Sequence, residues 1–299
     1  MGQLKKIVVG HDLRTAWEVA VQSAAAFADR YHAALKLVHV VESHHFYQTI
    51  PFPGFTYPYT LEEISRRVKE ELEALAASPQ LAHLPTEYEV RTGKPFVELI
   101  AACREWQGNL LVVGGTARGE ERFLGSTSER VLRKAPVPVL VAKKPLTAKA
   151  KTLLVPTDFS PCAKKAAEEA LTLVKSFGGR VLFFHALDLY HTYPAAYGLE
   201  GAWLPPIKPE DLEGEWRWFL SGLPSLEKLT WEKRTEEGRA ANTIVRLAEE
   251  SQVDLIVMGT HGRSGLAHML LGSVAEEVVR YAACPVLTIR PEAFSFELP

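Results

Sequence analysis

Cysteine is nearly missing from this chain: Cys103, Cys162 and Cys284 are scattered through 299 residues, with no Cys-x-x-Cys pair. That excludes a disulfide scaffold or a cysteine-built zinc module and suits a reducing compartment. Asparagine is scarcer still, present as Asn109 and Asn242 alone, a bias met in heat-adapted proteins. Charge of one sign is missing too. With 34 basic against 36 acidic residues and a net charge of −2, there is no electrostatic footprint for a nucleic acid. No stretch approaches the roughly 18 uninterrupted apolar residues of a membrane helix. The first strand pattern begins within a few residues of Met1 and leaves no room for a signal peptide. The expectation is a cytoplasmic protein with neither nucleic acid nor membrane as partner. What is present, 47% hydrophobic and 23% charged residues, allows two ordinary domains of about 150 residues each.

The chain repeats itself. Asp12 in Val9-Gly10-His11-Asp12 answers to Asp158 in Val155-Pro156-Thr157-Asp158, and His39 answers to His185, each 146 residues apart. Gly93 pairs with Gly238 and Gly114 with Gly259 at 145; Gly125-Ser126 pairs with Gly272-Ser273 and Pro138-Val139 with Pro285-Val286 at 147. An offset that drifts so little from end to end means duplication. The jump from 145 to 147 falls between Gly114 and Gly125, so the loop there is two residues shorter in the first copy. The copies span residues 1–145 and 151–291, joined by a short Lys-rich linker.

Each copy alternates short, branched-apolar runs with segments carrying apolar residues at three- and four-residue spacing. In the first, strands are expected at Lys6 to Val9, Ala34 to Val41, Glu87 to Arg91, Leu110 to Val113 and Val137 to Val141. Helices fall at Thr15 to Tyr31, Leu61 to Ala77, Pro95 to Trp106 and Ser128 to Lys134. The second copy has strands at Leu153 to Pro156, Arg180 to His185, Leu229 to Arg234, Leu255 to Met258 and Val286 to Ile289. Strands separated by helices imply right-handed βαβ crossovers and a parallel sheet covered on both faces, hence a tandem α/β, Rossmann-like protein.

The most informative motif follows the fourth strand of copy two. Val257-Met258-Gly259-Thr260-His261-Gly262 is followed by nine residues, Arg263 to Leu271, and then by Gly272-Ser273 at a helix start. Glycines here let a loop curl its N–H groups around an anion. The helix N-terminus adds free N–H groups and the positive end of the macrodipole. The spacing fits neither a Walker A loop nor Gly-x-Gly-x-x-Gly. Ser273-Val274-Ala275-Glu276 also reads as a capping box, with Ser273 capping its own helix. His261 and His268 read as surface or packing residues.

Gly-x2-Gly-x9-Gly-Ser after a strand, with an aspartate ending the first strand of the same copy, resembles the nucleotide loop of the universal stress protein family in its ATP-binding branch. The resemblance implies five-stranded parallel sheets of order 3-2-1-4-5, of the adenine-nucleotide alpha-hydrolase-like type. Strands 1 and 4 then meet at the switch point, where ligands bind. It implies ATP in copy two on Pro156, Thr157, Asp158, Ala186, Met258, Gly259, Gly262, Arg263, Gly272, Ser273 and Val274. Asp158 would lie near ribose and phosphates and beside a magnesium ion carried by them, with no metal held by protein alone. Ala186 takes the place whose backbone meets adenine, usually Val in the family, as Val40 in copy one. Copy one retains Gly10, His11, Asp12, Val40, Gly114, Gly115, Arg118, Gly125, Ser126 and Thr127. It has Ala117 where the second glycine should stand, so it reads either as a second ATP site or as a degenerate domain kept for pairing. The family pairs such domains through their last strands, here Pro136 to Val141 and Pro285 to Ile289; the same strands pairing between molecules would give a homodimer.

Two segments exceed a bare Rossmann unit. Residues 43–59 are rich in His, Phe, Tyr and Pro, and residues 187–224 hold Tyr190, Tyr193, Tyr197, Trp203, Trp216 and Trp218. They read as an ordered covering loop, either a lid beside the nucleotide or a flap on its own domain. The adjacent His44 and His45 lack further metal ligands. The functional expectation is a nucleotide-responsive regulatory or stress-protection protein with no catalytic residues and at most slow hydrolysis. The rivals are an ATPase or nucleotidyltransferase on the same superfold and a structural pair with vestigial sites. Copy-one and copy-two sequences lack the Ser-Gly-Gly-x-Asp-Ser and His-x-Gly-His elements of the enzymatic rivals. AMP or a cyclic nucleotide would satisfy the same motif.

Overall fold

A computed structural model describes residues 4–11, 16–42, 60–115, 124–146, 151–187, 209–262 and 271–291. The chain separates into two compact units, one built on Met1–Ala148 and the other formed by Lys149–Glu292.

In the first unit β1 (Lys6–His11), α1 (Ala16–Tyr31), β2 (Ala34–Val41), α2 (Leu61–Ala76), β3 (Thr86–Thr92), α3 (Pro95–Glu105), β4 (Leu110–Gly114), α4 (Ser126–Lys134) and β5 (Val139–Ala142) follow one another. The strands lie in the order β3-β2-β1-β4-β5 and pair in parallel, Val9 standing opposite Leu37 on one side and Val112 on the other. Ile7, Val8 and Val9 are fully buried, as are Leu110, Leu111 and Val112. Successive strand residues point to opposite faces, so both faces of the sheet centre are covered. The edge strand β3, Thr-Glu-Tyr-Glu-Val-Arg-Thr, is polar and only half-buried, which discourages pairing with foreign chains. α2 starts where its sequence says it should. The Thr60 hydroxyl accepts the Glu63 N–H at 3.2 Å, and the Glu63 carboxylate accepts the Thr60 N–H at 2.7 Å, a closed capping box.

The second unit repeats the plan with β6 (Thr152–Pro156), α5 (Pro161–Phe177), β7 (Arg180–Leu187), α6 (Pro209–Leu220), β8 (Thr230–Glu237), α7 (Ala240–Glu250), β9 (Leu255–Gly259), α8 (Ser273–Tyr281) and β10 (Val286–Ile289). Its order is β8-β7-β6-β9-β10, again parallel, with Leu154 between Leu182 and Ile256. The fold class and the 3-2-1-4-5 order expected of each copy are what the strands adopt.

The duplication extends to backbone detail. Gly93 has φ +150° and Gly238 has φ +140°. Each N–H bonds back into the second strand of its own unit, to Val41 O at 3.1 Å and to Leu187 O at 3.0 Å. An L side chain would be strained at either, which explains why glycine stands at both places.

Several element bounds shift from expectation, β8 among them, which runs Thr230–Glu237 rather than Leu229 to Arg234. β5 starts at Val139 rather than Val137, because Pro138 has no N–H to give the ladder. α4 starts at Ser126 rather than Ser128, since Gly125 serves as the N-cap. The segment expected as a covering loop contains the helix α6. Its Trp216 is buried at 2% exposure while Trp218 remains 48% exposed. Tyr190, Tyr193, Tyr197, Trp203, His44 and His45 lie outside the described residues.

Candidate functional site

In the second unit β6 and β9 are neighbours, and their carboxyl ends carry the two motifs that lie about a hundred residues apart in sequence. Beyond Pro156 the chain turns sharply. The Thr157 N–H still reaches Phe184 O at 2.8 Å, and the Thr157 hydroxyl accepts the Phe159 N–H at 2.9 Å. Asp158 Oδ1 accepts the Ser160 N–H at 3.1 Å, an Asx turn. Phe159 sits at φ +61°, a left-handed conformation costing about 1 kcal/mol or more for a residue with a Cβ. Aromatic packing offsets it: the Phe159 ring lies 4.4 Å from His185 and 5.1 Å, edge-on, from Trp216. Ser160 then caps α5, its hydroxyl accepting the Ala163 N–H at 3.2 Å.

The glycine loop closes on this turn from the other side. A Cβ on Gly259 would stand 2.9 Å from Cys162 Sγ and 3.2 Å from Ala163 N, and one on Gly262 would stand 2.6 Å from Asp158 Oδ2. Both glycines are therefore set by close approach, and Gly262 brings the loop directly against the aspartate. Thr260, wholly buried, is the hinge: its N–H and hydroxyl bond to Ile289 O at 3.0 and 3.2 Å. Its carbonyl accepts the Gly272 N–H at 2.8 Å, drawing the start of α8 back to the end of β9. With the Thr260 hydroxyl proton given to Ile289, the contact of 2.8 Å to His261 Nδ1 is one in which the ring donates. Arg290, buried just past β10, has its guanidinium pushed down to about 10 by loss of water, with nearby Cys162 opposing the shift.

Gly272, not Ser273, is the N-cap of α8, and no side chain caps this end. The capping box read into Ser273 to Glu276 is not formed: Ser273 already lies inside the helix, so its hydroxyl is one position too late. The exposed Ser273 and Val274 and the buried Ala275 contribute the first N–H groups of the helix. Ala186 is half-buried at the carboxyl end of β7, and Met258 is buried within β9. Arg263 lies outside the described residues. Among the described residues no group of three or more His, Cys, Asp or Glu side chains could hold a metal ion, and no helix is long and apolar enough to cross a membrane.

The first unit has the same frame with different furnishings. β1 and β4 are adjacent, and α4 begins at Ser126 with Gly125 as its N-cap and no side-chain cap. A Cβ on Gly125 would meet nothing within 4 Å. Ser126 is exposed and Thr127 half-buried; Gly10, Val40 and Gly114 are half-buried at their strand ends. Gly115 takes the place of Thr260, its N–H bonding Ala142 O at 2.7 Å. His11 takes the place of Thr157 and is buried; burial first and the neighbouring His39 second lower its pKa to about 4. Asp12 and Arg118 lie outside the described residues.

Sequence reasoning used His39 and His185 only as markers of the repeat. The structure gives them a bond: His39 Nδ1 donates to His11 O at 2.7 Å and His185 Nδ1 to Thr157 O at 2.8 Å, across 28 residues in both cases. Phe159 is a neighbour of the site that sequence reasoning missed, and Trp216 was read only as part of the covering segment. The signal for the histidines was their recurrence at one strand position in both copies; nothing in the sequence paired Trp216 with Phe159.

The family model described as the universal stress protein family matches residues 3–143 and, separately, residues 149–290. A universal stress protein of Methanocaldococcus jannaschii is 38% identical over 145 residues, covering 47% of this chain and 82% of its own. One from Mycolicibacterium smegmatis is 28% identical over 306 residues, covering 95% of this chain and 97% of its own. Among solved structures, a universal stress protein from Archaeoglobus fulgidus is similar with a TM-score of 0.74 at 22% identity, over 96% of this chain and 99% of that one.

Proposed function

The chain belongs to the universal stress protein family, matched twice along its length, and from that premise we propose that its second unit binds ATP in the crevice at the carboxyl ends of β6 and β9. The observation that carries the reading is the approach of Gly262 to Asp158, 2.6 Å from a would-be Cβ to Oδ2. It joins the glycine loop, the strand-1 aspartate and the uncapped start of α8 around one space. The N–H groups of Ser273, Val274 and Ala275, with the Ser273 hydroxyl, suit phosphate oxygens. Arg263 adds charge from the loop. Asp158 suits ribose hydroxyls or the water shell of a magnesium ion carried by the phosphates. The backbone at Ala186, one strand over, suits the adenine edge.

The first unit, with Gly10, His11, Asp12, Val40, Gly114, Gly115, Arg118, Gly125, Ser126 and Thr127, is proposed as a second and weaker site on the same frame. The role is nucleotide-responsive regulation in the cytoplasm rather than efficient turnover. Holding phosphates does not orient an attacking water, and phosphoryl transfer needs both. Calorimetric titration of ATP into the unsubstituted chain, Gly272→Val and Gly125→Val tests this. Loss of one binding event in each variant supports two sites, and loss only in Gly272→Val supports one. ATP affinity unchanged in both refutes the assignment, and tighter binding of AMP or a cyclic nucleotide changes the ligand.

A further inference from the structure

We propose that His185 is a positioning residue of the nucleotide crevice, with His39 as its counterpart: each ring pins, through Nδ1–H, the carbonyl that immediately precedes an aspartate of the site. The inference rests on the nucleotide reading and deepens it by naming what holds the aspartate-bearing turn.

The β6–β7 register ends at Pro156 opposite Phe184. One residue later the Thr157 N–H still bonds Phe184 O, but the chain is already leaving the sheet to present Asp158. In a continuing parallel ladder the Thr157 carbonyl would take the next backbone N–H of β7. Instead it receives the His185 side chain at 2.8 Å. A carbonyl oxygen can only accept, so Nδ1 carries the proton whether the ring is neutral or charged. Thr157 is thus held at both its N–H and its C=O just before the Asx turn of Asp158 and the left-handed Phe159.

The repeat separates this bond from packing. In the second unit His185 lies against Phe159, 4.4 Å between ring centroids. In the first, His39 stands edge-on to His11 at 5.8 Å, and the pinned residue is His11 instead of Thr157. The surroundings have changed while donor atom, acceptor atom, distance and separation have stayed. A histidine kept only to fill space would have no reason to keep its bond.

Two substitutions divide donor from ring. His185→Phe keeps an aromatic ring against Phe159 and deletes the donor; His185→Asn keeps an N–H near the Nδ1 position and deletes the ring. Both are made in a chain carrying Gly125→Val, so that the second unit alone is titrated with ATP. His185→Phe is expected to weaken ATP binding about tenfold, which is 1.4 kcal/mol, and His185→Asn to restore it to within about threefold. On an Asp158→Ala background His185→Phe should cost little more, because the ring acts through the aspartate. Melting without nucleotide is recorded for each, since a purely structural role moves the melt and spares the order of affinities. Unchanged affinity in His185→Phe, or weak binding in His185→Asn alone, overturns the positioning role while leaving ATP binding intact. Absence of ATP binding by the unsubstituted chain overturns the functional reading and this inference with it. Should His185→Phe not fold, nitrogen NMR of the unsubstituted protein decides: an Nδ1-protonated ring supports the proposal, and an Nε2-only tautomer overturns it.

Discussion

Replacing Gly262 by alanine adds one methyl group at a place where its nearest neighbour is a single carboxylate oxygen. The new Cβ would lie 2.6 Å from Asp158 Oδ2 and 3.7 Å from its Cγ, with no backbone atom of the described residues, chain neighbours aside, within 4 Å. Ordinary contact between such atoms begins near 3.4 Å, so the oxygen must retreat by about 0.8 Å, most easily by rotation of the Asp158 side chain. That rotation loosens the Oδ1 bond to the Ser160 N–H, now 3.1 Å, whose loss costs about 1 kcal/mol. For a unit of this size the melting temperature should fall by no more than about 4 °C. Nucleotide binding is where the substitution should act, because the carboxylate is displaced within the crevice it is proposed to serve. The expectation is a loss of about tenfold or more in ATP affinity for the second unit, read by calorimetry with magnesium present, beside a scanning-calorimetry melt without nucleotide. ATP binding within twofold of the unsubstituted chain would refute the convergence of Gly262 and Asp158 on a ligand. So would a melt lowered by 10 °C or more, which would make their contact structural.

The buried His11 makes stability pH-dependent. Its folded pKa of about 4 against 6.5 for the free side chain means that between those values the unfolded chain binds more protons. Its neutral form therefore supports the fold fully above pH 6.5, and up to about 3 kcal/mol is lost as pH falls toward 4; urea midpoints from pH 7.5 to 4.5 should fall, and less so in His11→Thr. Gly179 has φ +106° with Lys151 O 2.2 Å from a would-be Cβ, so Gly179→Ala should cost about 3 kcal/mol, whereas exposed Gly214 in α6 has open space around it and Gly214→Ala should add about 1 kcal/mol, both read by urea unfolding. Burial pushes the Cys103 thiol up to about 12, so in the folded chain it should react with a disulfide reagent at pH 8 only as fast as the chain opens, and a fast native-state reaction would contradict its burial.

The legible parts of this protein are those written in local pattern. Strands such as Leu110–Gly114 and Leu255–Gly259 are short apolar runs ended by glycine, and α2 announces itself through Thr60 and Glu63. The duplication fixes which residues correspond and locates the shortened loop. Boundaries were misread where one residue's chemistry outranked the pattern, as with Pro138 at the start of β5 and Gly125 at the start of α4. α6 reads as loop in the sequence because the prolines and aromatics of its segment mask a helical face whose Trp216 and Phe219 are buried.

By itself, then, the sequence determined a tandem α/β chain, its family and the residues that could meet a nucleotide. Only the tertiary structure decided which of them meet, because contacts such as Gly262 to Asp158 join strands adjacent in the sheet and distant in the chain. It also decided that Gly272 caps α8, which depends on the Thr260 carbonyl reaching back to its N–H. And it gave His39 and His185 their bond, since a side chain can replace a ladder N–H only where two strands part, and that place is set by the sheet.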